Sequence, residues 1–323
     1  MISIKVSEIS NVFYVSTFLE NQQKDIQAVA NIKDLKENDF VKFTGTGTIT
    51  KECVNTLLTG GTNGTFDNSD YTNYLNLVAK QKFDILVANQ IGGSNVFNAQ
   101  DIKNFIEKLR EEKGFKCQAI INNFITGNYE GLISAYNQGL KFDEVELSND
   151  DTLILLGAMM AGVSIAESNT YRVIEDATEI TGNVTEEQIE NLITQGYLVM
   201  SVRRDGKVVI EKDINTLSTQ NGKNKVLKEN RAVRLLDEIS NYVANEFEVK
   251  YIGKIANNDA GLSLFKSAIV KYLNGLVEQA VITNFDSKED IIVQRGEQPE
   301  SIISEIKIQP TYTIEKLYLQ INL

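Results

Sequence analysis

The sequence predicts a mixed α/β fold with an extended strand at each end of the chain. Three observations carry this prediction: both termini alternate apolar and polar residues, apolar strands alternate with amphipathic helices after residue 70, and the later part combines a hairpin, two long helices and further strands. With 323 residues, of which 42% are hydrophobic, the chain can bury the cores of about two domains.

The N-terminal strand is predicted from a strict period of two residues. Ile2, Ile4 and Val6 fall on one face of an extended chain, and the polar residues between them fall on the other face. Such a strand can complete the sheet of its own chain or add to the sheet of a neighbouring copy, and both placements are open. In the second placement these three residues form an inter-subunit arm.

The C-terminal strand shows the same period more strongly. Its apolar positions continue to the last residue: Leu317, Leu319, Ile321 and Leu323. Pro310 interrupts strand pairing, because proline has no amide hydrogen, and it separates this strand from a preceding one at 305–309. Each terminal strand can complete the sheet of its own chain, but two such strands on a chain without a catalytic constellation leave a second placement open, in which each strand adds to the sheet of a neighbouring copy. In that placement the chain would form a polymer.

A parallel sheet is predicted for the middle of the chain. The pattern there indicates a helix at 71–81, an apolar strand at 83–89, an amphipathic helix at 99–114 and a second apolar strand at 116–122. The long helix ends at Gly114, since glycine is the usual residue after a helix C-terminus. Strands that alternate with helices are typical of a parallel α/β sheet.

The next elements lead into a second predicted domain or subdomain, which begins near residue 183. An apolar helix at 152–166 is expected to be buried, with Asn149–Asp151 as its cap, and a possible short strand at 145–147 precedes it. A helix at 184–196 is then followed by a hairpin around Asp205–Gly206. Its two strands read YLVMSVRR and KVVIEKDI.

Two long helices and two strands complete this second predicted domain. The helices run over 230–248 and 259–280, and the strands over 291–296 and 305–309. In the helix at 259–280 the apolar residues form one stripe: Leu262, Phe265, Ile269, Tyr272, Leu273 and Leu276. Lys266, Lys271 and Asn274 fall on the other side of this helix, where an ordinary solvated face is the simplest interpretation.

Composition excludes several function classes. The chain has no histidine, which removes the Ser-His-Asp triad, the Cys-His pair and every zinc site with an imidazole ligand. Cys53 and Cys117 stand outside any CxxC pattern, so they predict neither a disulfide framework nor a thiolate metal site, and a reducing cytosol fits best. We predict no catalytic residue, no cofactor and no metal.

Charge and hydropathy exclude further partners. A net charge of -12 repels nucleic-acid phosphates. No apolar run approaches the ~20 residues of a membrane helix. Lys5 and Glu8 interrupt the apolar N-terminal stretch, which has no small-residue cleavage site and is unlike a secretory signal. The sequence therefore predicts no nucleic acid and no membrane as partners.

Glycine-rich motifs offer an enzymatic alternative. Gly60–Thr65 could hold a phosphate on consecutive amide groups, but it lacks the GK[ST] of a P-loop, and a surface turn is the simpler interpretation. Thr44–Thr48 is a weaker motif of the same kind. Gly222–Lys225 lacks the upstream glycine that a P-loop requires.

Acidic clusters offer a second alternative, a carboxylate enzyme or a calcium site. Glu186–Glu187 and Glu111–Glu112 are adjacent on helices, so the side chains within each pair point in different directions. The acidic residues between Asp143 and Asp151 depart from the EF-hand spacing and lack its glycine. Solvated faces and a helix cap explain both groups.

The chain resembles the sheath proteins of contractile tails, specifically those of Gram-positive myophages, defective prophages and phage-tail-like bacteriocins. The resemblance rests on the runs at 208–243, which begins VVIEKDINTL, at 251–276, and at 308–323, which reads IQPTYTIEKLYLQINL. Upstream, the runs at 58–88 and 168–196 also resemble that family. The likeness therefore covers nearly the whole chain.

The resemblance implies a fold and a division of the chain. It implies a subtilisin-like α/β domain without protease activity, followed by a smaller α+β domain next to a tail tube. The expected parts are an N-terminal arm, a small N-terminal region, the subtilisin-like domain, the tube-proximal domain and a C-terminal arm, at 1–12, 13–55, 56–200, 201–312 and 313–323. The chain is short for this family, which often carries additional outer domains.

The resemblance also implies a non-enzymatic function. Subunits would assemble in the host cytoplasm as stacked six-fold rings around a tail tube protein, meet baseplate and tail terminator proteins, and contract to drive the tube through a target envelope. The particle would be a phage tail or a phage-tail-like bacteriocin. Lys266, Lys271 and Asn274 would then face the tube. Another self-assembling tail component, of the tube or baseplate, and a carboxylate or phosphate-loop enzyme are the alternatives.

Overall fold

The computed structural model describes residues 2–9, 12–19, 22–29, 55–58, 68–88, 99–124, 126–182, 184–219, 222–315 and 318–320. The chain divides into two compact units, Met1–Phe66 and Asp67–Leu323. Among the helices of these described ranges, none combines the length and the apolar character needed to cross a membrane.

The first unit contains a four-stranded antiparallel sheet. Its strands are β1 (Ile2–Ile9), β2 (Val12–Leu19), β3 (Gln22–Val29) and β4 (Asn55–Leu58), in the order β3-β2-β1-β4. Ile2 pairs with Leu19 of β2 on one side and with Leu58 of β4 on the other. The predicted N-terminal strand is confirmed.

The place of β1 differs from that of a free arm. Both of its edges are occupied by strands of its own chain, because β2 follows it directly and β4 returns to its other side. A strand in this position has no free edge to offer a neighbouring copy. Pairing of β1 with another subunit stays a prediction, and it requires one of these two pairings to open.

The second unit contains six helices and thirteen strands among its described residues. The helices are α1 (Asn68–Val78), α2 (Ala99–Glu107), α3 (Asn149–Gly162), α4 (Glu186–Gln195), α5 (Asn230–Lys250) and α6 (Asp259–Glu278). The strands are β5 (Ile85–Ala88), β6 (Gln118–Asn122), β7 (Leu132–Ala135), β8 (Gly139–Lys141), β9 (Glu146–Leu147), β10 (Glu179–Thr181), β11 (Tyr197–Leu198), β12 (Met200–Val202), β13 (Val208–Ile210), β14 (Ile282–Thr283), β15 (Ile291–Arg295), β16 (Ile302–Ile306) and β17 (Gln309–Pro310).

A parallel sheet forms the first part of this unit, as the alternation of strands and helices predicts. Its order is β11-β7-β6-β5, and all three pairings are parallel. Every residue of β6 and β7 is buried, which explains why these strands are apolar rather than alternating. The predicted helix at 99–114 continues from α2 as a π-helical turn, Lys108–Glu112, and ends before Gly114, whose φ is +69°.

Two hydrophobic cores cover the two faces of this sheet. Helix α3 lies on one face with Leu153, Leu156 and Met160, and α2 lies on the other with Ile102 and Ile106. The Ser148 side chain caps α3, because its hydroxyl oxygen accepts a hydrogen bond from the backbone amide of Asp151. The cap predicted at Asn149–Asp151 therefore begins one residue too late. A serine in the N-cap position provides the acceptor that the first turn needs.

The hairpin of β12 and β13 belongs to the same core as the parallel sheet. It turns at Gly206, and Met200, Val208 and Ile210 pack with Ile133 of β7. A domain boundary at residue 200 would therefore pass through one hydrophobic core.

Helices α5 and α6 form a separate core with β15 and β16. All six residues of the predicted α6 stripe lie on its packed side: Phe265, Ile269, Leu273 and Leu276 are buried, and Leu262 and Tyr272 are half-buried. The strand predicted at 305–309 is divided between β16 and β17. Pro310 ends this segment in a two-residue pairing opposite Ile282, an edge position that proline tolerates.

Candidate functional site

The glycine-rich and acidic motifs do not form a catalytic centre among the described residues. Gly60–Thr65 and Thr44–Thr48 lie outside them. Gly222–Lys225 forms a turn in which Asn224 caps a short 3₁₀ helix and the Lys223 ammonium lies 2.7 Å from a carboxylate oxygen of Glu130. Within the described ranges, acidic and cysteine side chains nowhere gather in a group that could hold a metal ion.

An apolar groove lies between α5 and β16. The cavity has a volume of about 460 Å³, and its lining is mostly aliphatic and aromatic: Leu236, Ile239, Val243, Phe247, Phe265, Ile302, Ile306 and Ile308. A second cavity of about 460 Å³, beside the loop between α5 and α6, shares Phe247, Phe265 and Ile302 with it. The groove is therefore continuous along one side of α5, and it can receive an apolar segment.

The strand beside this groove has an unpaired edge. β16 pairs with β15 alone among the described residues, and Ile302, Ser304 and Ile306 of β16 line the groove. A strand that paired with this edge would insert every second side chain between β16 and α5. Backbone hydrogen bonds and apolar contacts would then act together at one site.

The C-terminal segment presents apolar side chains to solvent. Ile314 is 97% exposed and Leu319 72%, and Tyr312 and Tyr318 are also exposed. The described residues after Pro310 form no strand within the chain. Leu317, Ile321 and Leu323 of the predicted arm lie outside the described residues. Exposed apolar side chains in such numbers are typical of a surface that meets another protein.

The predicted tube-facing residues of α6 have different surroundings. The Lys266 ammonium donates to the backbone oxygen of Ile291 at 2.7 Å, which fastens α6 to β15 of its own chain. Lys271 and Asn274 are exposed. The structure therefore leaves Lys271 and Asn274 accessible to a partner, and it gives Lys266 an intramolecular role.

A buried ion pair fastens α5 to the parallel-sheet part of the unit. The Arg110 guanidinium, in the π-helical turn, donates to both carboxylate oxygens of Asp237, at 2.5 and 2.8 Å, and to the backbone oxygen of Cys117 at 2.7 Å. Burial alone would lower the pKa of Arg110, but its hydrogen bonds to Asp237 and the charge of that carboxylate raise it. Burial raises the pKa of the Asp237 carboxyl, and the hydrogen bonds and charge of Arg110 oppose that rise. The two-point contact holds the helix of the groove in place.

A second buried polar cluster surrounds Asp213, which lies between β13 and α5 in the chain. Its carboxylate accepts from the backbone amide of Asn169, from the side-chain amide of Asn230 and from Arg234, at 2.9 to 3.0 Å. Asp213 is fully buried, so each of these bonds compensates the loss of water around a charge. Residues of three separate segments thus meet at one carboxylate.

The sequence interpretation missed the groove and both buried clusters. Asp213 gave no distinct signal, because it stands in a stretch that also contains Glu211, Lys212, Asn215 and Thr216. Arg110 and Asp237 are 127 positions apart and look like ordinary charged residues of amphipathic helices. The groove residues carried the helical period of a core face, which does not reveal whether a face is covered.

Comparison with known proteins identifies the family of each part. The family model for the central domain of phage tail sheath proteins matches residues 64–216, and the model for the phage tail sheath C-terminal domain matches residues 222–323. The two matches meet at residues 216–222, after the hairpin, whereas the resemblance implied a boundary at residue 200.

Individual relatives extend the likeness to nearly the whole chain. The phage-like element PBSX protein XkdK of Bacillus subtilis is 29% identical over 97% of this chain and 72% of its own length. The crystal structure of the sheath tail protein from Desulfitobacterium hafniense is 29% identical, with a TM-score of 0.73 over 98% of this chain and 75% of that protein.

A more distant structure shares the fold. The helical sheath of the anti-feeding prophage in its contracted state is 14% identical, with a TM-score of 0.59 over 81% of this chain and 76% of that one. The two domain matches and the relatives over nearly the full length show that this chain belongs to the phage tail sheath protein family.

Proposed function

We propose that this chain is the structural sheath subunit of a contractile tail, and that it polymerises through its C-terminal segment. The observation that carries this proposal is the presence of a donor and an acceptor on one chain. The donor is the exposed apolar segment after Pro310, and the acceptor is the free edge of β16 beside the apolar groove. A segment of one copy that pairs with β16 of the next makes a head-to-tail contact.

Such a contact determines the kind of assembly. The donor and acceptor surfaces differ, so each bound copy offers a new free donor and a new free acceptor. The series closes as a ring or continues as a helix. We propose that this contact closes six-fold rings and that other parts of the subunit surface stack these rings around a tail tube.

Contraction follows from the same contacts. Strand pairing at the groove holds neighbours together, while the rest of the subunit surface is left to adopt different packings before and after contraction. The free-energy difference between two packings, summed over many subunits, drives the tube through a target envelope without a nucleotide. We propose that the chain is not an enzyme and that its parallel-sheet part is a subtilisin-like domain without protease activity.

The remaining partners and the setting belong to the same proposal. Subunits assemble in the host cytoplasm, and the finished sheath meets a tail tube protein, a baseplate and a tail terminator, as part of a phage tail or a phage-tail-like particle. The relatives with sheath names and the sheath fold support this proposal. β1 is the proposed second arm, with Ile2, Ile4 and Val6 as its contacts.

Electron microscopy of the purified protein tests the proposed assembly. We expect striated cylinders in negative stain once the protein concentration exceeds a threshold, because each proposed ring is held by head-to-tail contacts and presents further contacts, including those of β1, to the next ring. Thin smooth tubes would instead indicate a tube component, and monomers at all concentrations would contradict self-assembly. Peptidase and ATPase assays on the same sample are expected to show no activity above the background.

The exposed face of α6 gives a further prediction, that Lys271 contacts the tail tube. Replacement of Lys271 with Glu is expected to weaken binding of the sheath to an acidic tube, because it turns a favourable charge contact into a repulsive one. High salt should weaken the wild-type contact in the same direction. The measurement is co-sedimentation of sheath with purified tubes.

A matched control for this prediction is Lys254→Glu, which makes the same charge change in the loop between α5 and α6. Lys254 already donates to the backbone oxygen of Val249 in its own chain. If neither Lys271→Glu nor salt alters co-sedimentation, this face of α6 is not the tube contact. Equal weakening by both variants would assign the effect to net charge alone.

A further inference from the structure

The start of the C-terminal segment is held by its own subunit at Thr311. The Thr311 amide donates to the backbone oxygen of Val281 at 3.0 Å, and its hydroxyl donates to the backbone oxygen of Ala280 at 2.7 Å. Arg231 of α5 is buried, and it donates to both the hydroxyl and the backbone oxygen of Thr311. This residue is therefore fixed by two elements of the subunit.

A second point of attachment follows four residues later. Lys212, just before the buried Asp213, places its ammonium 3.1 Å from a carboxylate oxygen of Glu229 and 3.7 Å from one of Glu315. Burial alone would lower the pKa of Lys212, but the two carboxylates raise it, so the side chain is charged. An ion pair thus binds the C-terminal segment to Lys212, which lies between β13 and α5 in the chain.

Between these points the segment is exposed. Ile314 is 97% exposed, so the hydrophobic effect does not hold it on its own subunit. Four residues of extended chain span at most ~14 Å, so two attachments at this separation define a direction as well as a position. A single attachment at Thr311 would leave the segment free to rotate about that point.

We propose that Lys212 is a positioning residue for assembly: it binds Glu315 and so sets the direction in which the C-terminal segment leaves the subunit. This inference rests on the proposed function, in which that segment pairs with β16 of a neighbouring copy. A segment aimed in advance loses less conformational entropy when it binds. Loss of the Glu315 contact therefore weakens polymerisation while the subunit remains folded.

A charge-exchange experiment tests the proposal in the full-length chain. Glu315→Lys is expected to raise the concentration needed for polymerisation about fivefold, measured by sedimentation, because an ion pair becomes a repulsion between like charges. Adding Lys212→Glu should restore most of the wild-type value, since positions 212 and 315 then carry opposite charges again, although the pair of Lys212 with Glu229 is lost. A merely structural role of either residue does not predict this rescue.

Two further variants interpret the outcome. Glu187→Lys makes the same charge change in the exposed first turn of α4 and is expected to leave the polymerisation threshold unchanged. If Glu315→Lys polymerises like the wild type, or if the exchange gives no rescue, Lys212 does not position the segment. A separate result tests the arm itself. If a chain that lacks residues 315–323 still polymerises, the proposed arm is wrong, whatever the role of Lys212.

Discussion

Deletion of residues 315–323 is expected to leave a folded subunit that no longer polymerises. The described residues of this segment form no strand in their own chain, and Tyr318 and Leu319 are exposed, so their removal takes little from the hydrophobic cores. The deletion does remove the backbone groups that would pair with β16 of a neighbour. The expected result is loss of cylinders in negative stain, with the thermal unfolding transition of the subunit retained.

Two single substitutions provide a more selective form of this test. Leu319→Asp places a charge on the apolar face of the arm, which is expected to enter the groove, whereas Gln320→Asp places the same charge on the opposite face. Burial of an unpaired carboxylate costs several kcal/mol, so Leu319→Asp should prevent assembly and Gln320→Asp should reduce it much less. Sheaths formed by the truncated chain, or equal effects of both substitutions, would contradict strand addition at this groove.

Replacement of Arg110 with Ala is expected to lower the free energy of unfolding by about 3–5 kcal/mol, because it leaves the Asp237 carboxylate buried without its partner. The backbone oxygen of Cys117 also loses a hydrogen bond. Asp237→Ala should have a similar effect, since it leaves a buried guanidinium. Urea unfolding of the purified subunit, followed by circular dichroism, measures the difference.

The chain offers an internal control for this prediction. Arg295 and Asp259 form an ion pair at 2.8 Å with both side chains exposed, so Arg295→Ala should change the unfolding free energy by less than about 1 kcal/mol. The double replacement Arg110→Met with Asp237→Leu should cost less than either alanine substitution, because no charge then remains buried. If Arg110→Ala lowers the free energy of unfolding no more than Arg295→Ala does, the buried pair does not stabilise the contact between α5 and the parallel-sheet part.

In the proposed assembly, the buried pair would also carry load between subunits. Helix α5 carries one wall of the groove, and the Arg110–Asp237 pair ties this helix to the core below the parallel sheet. A load applied through a neighbour's arm at the groove would pass along α5 to that pair. Separation of α5 from that core would leave the charges of Arg110 and Asp237 without their partners, which is unfavourable.

The secondary structure of the second unit was largely predictable from local patterns. The period of 3.6 residues located α5 and α6, and apolar runs between helices located β5 and β6, because the side of an element that is buried is written into its own residues. The resemblance to tail sheath proteins came from the same stretches and is confirmed by the family matches.

The pairing of distant segments was not predictable in this way. Alternation in Ile2–Ile9 showed that a strand forms, but the same alternation suits an arm on a neighbour or a central strand between β2 and β4. Each strand edge presents the same backbone amides and carbonyls whatever its side chains are. Sequence pattern therefore predicts a buried face far better than it predicts a partner.

The sequence by itself determined the α/β class, most of the helices and the absence of histidine chemistry, since these depend on composition and on neighbours a few residues away. Only the tertiary structure revealed the Arg110–Asp237 pair, the contacts of Asp213 and the attachment of Glu315 to Lys212. These contacts join positions that are up to 127 residues apart. A charged residue joins distant segments of the chain only when folding removes the water around it and supplies one particular partner.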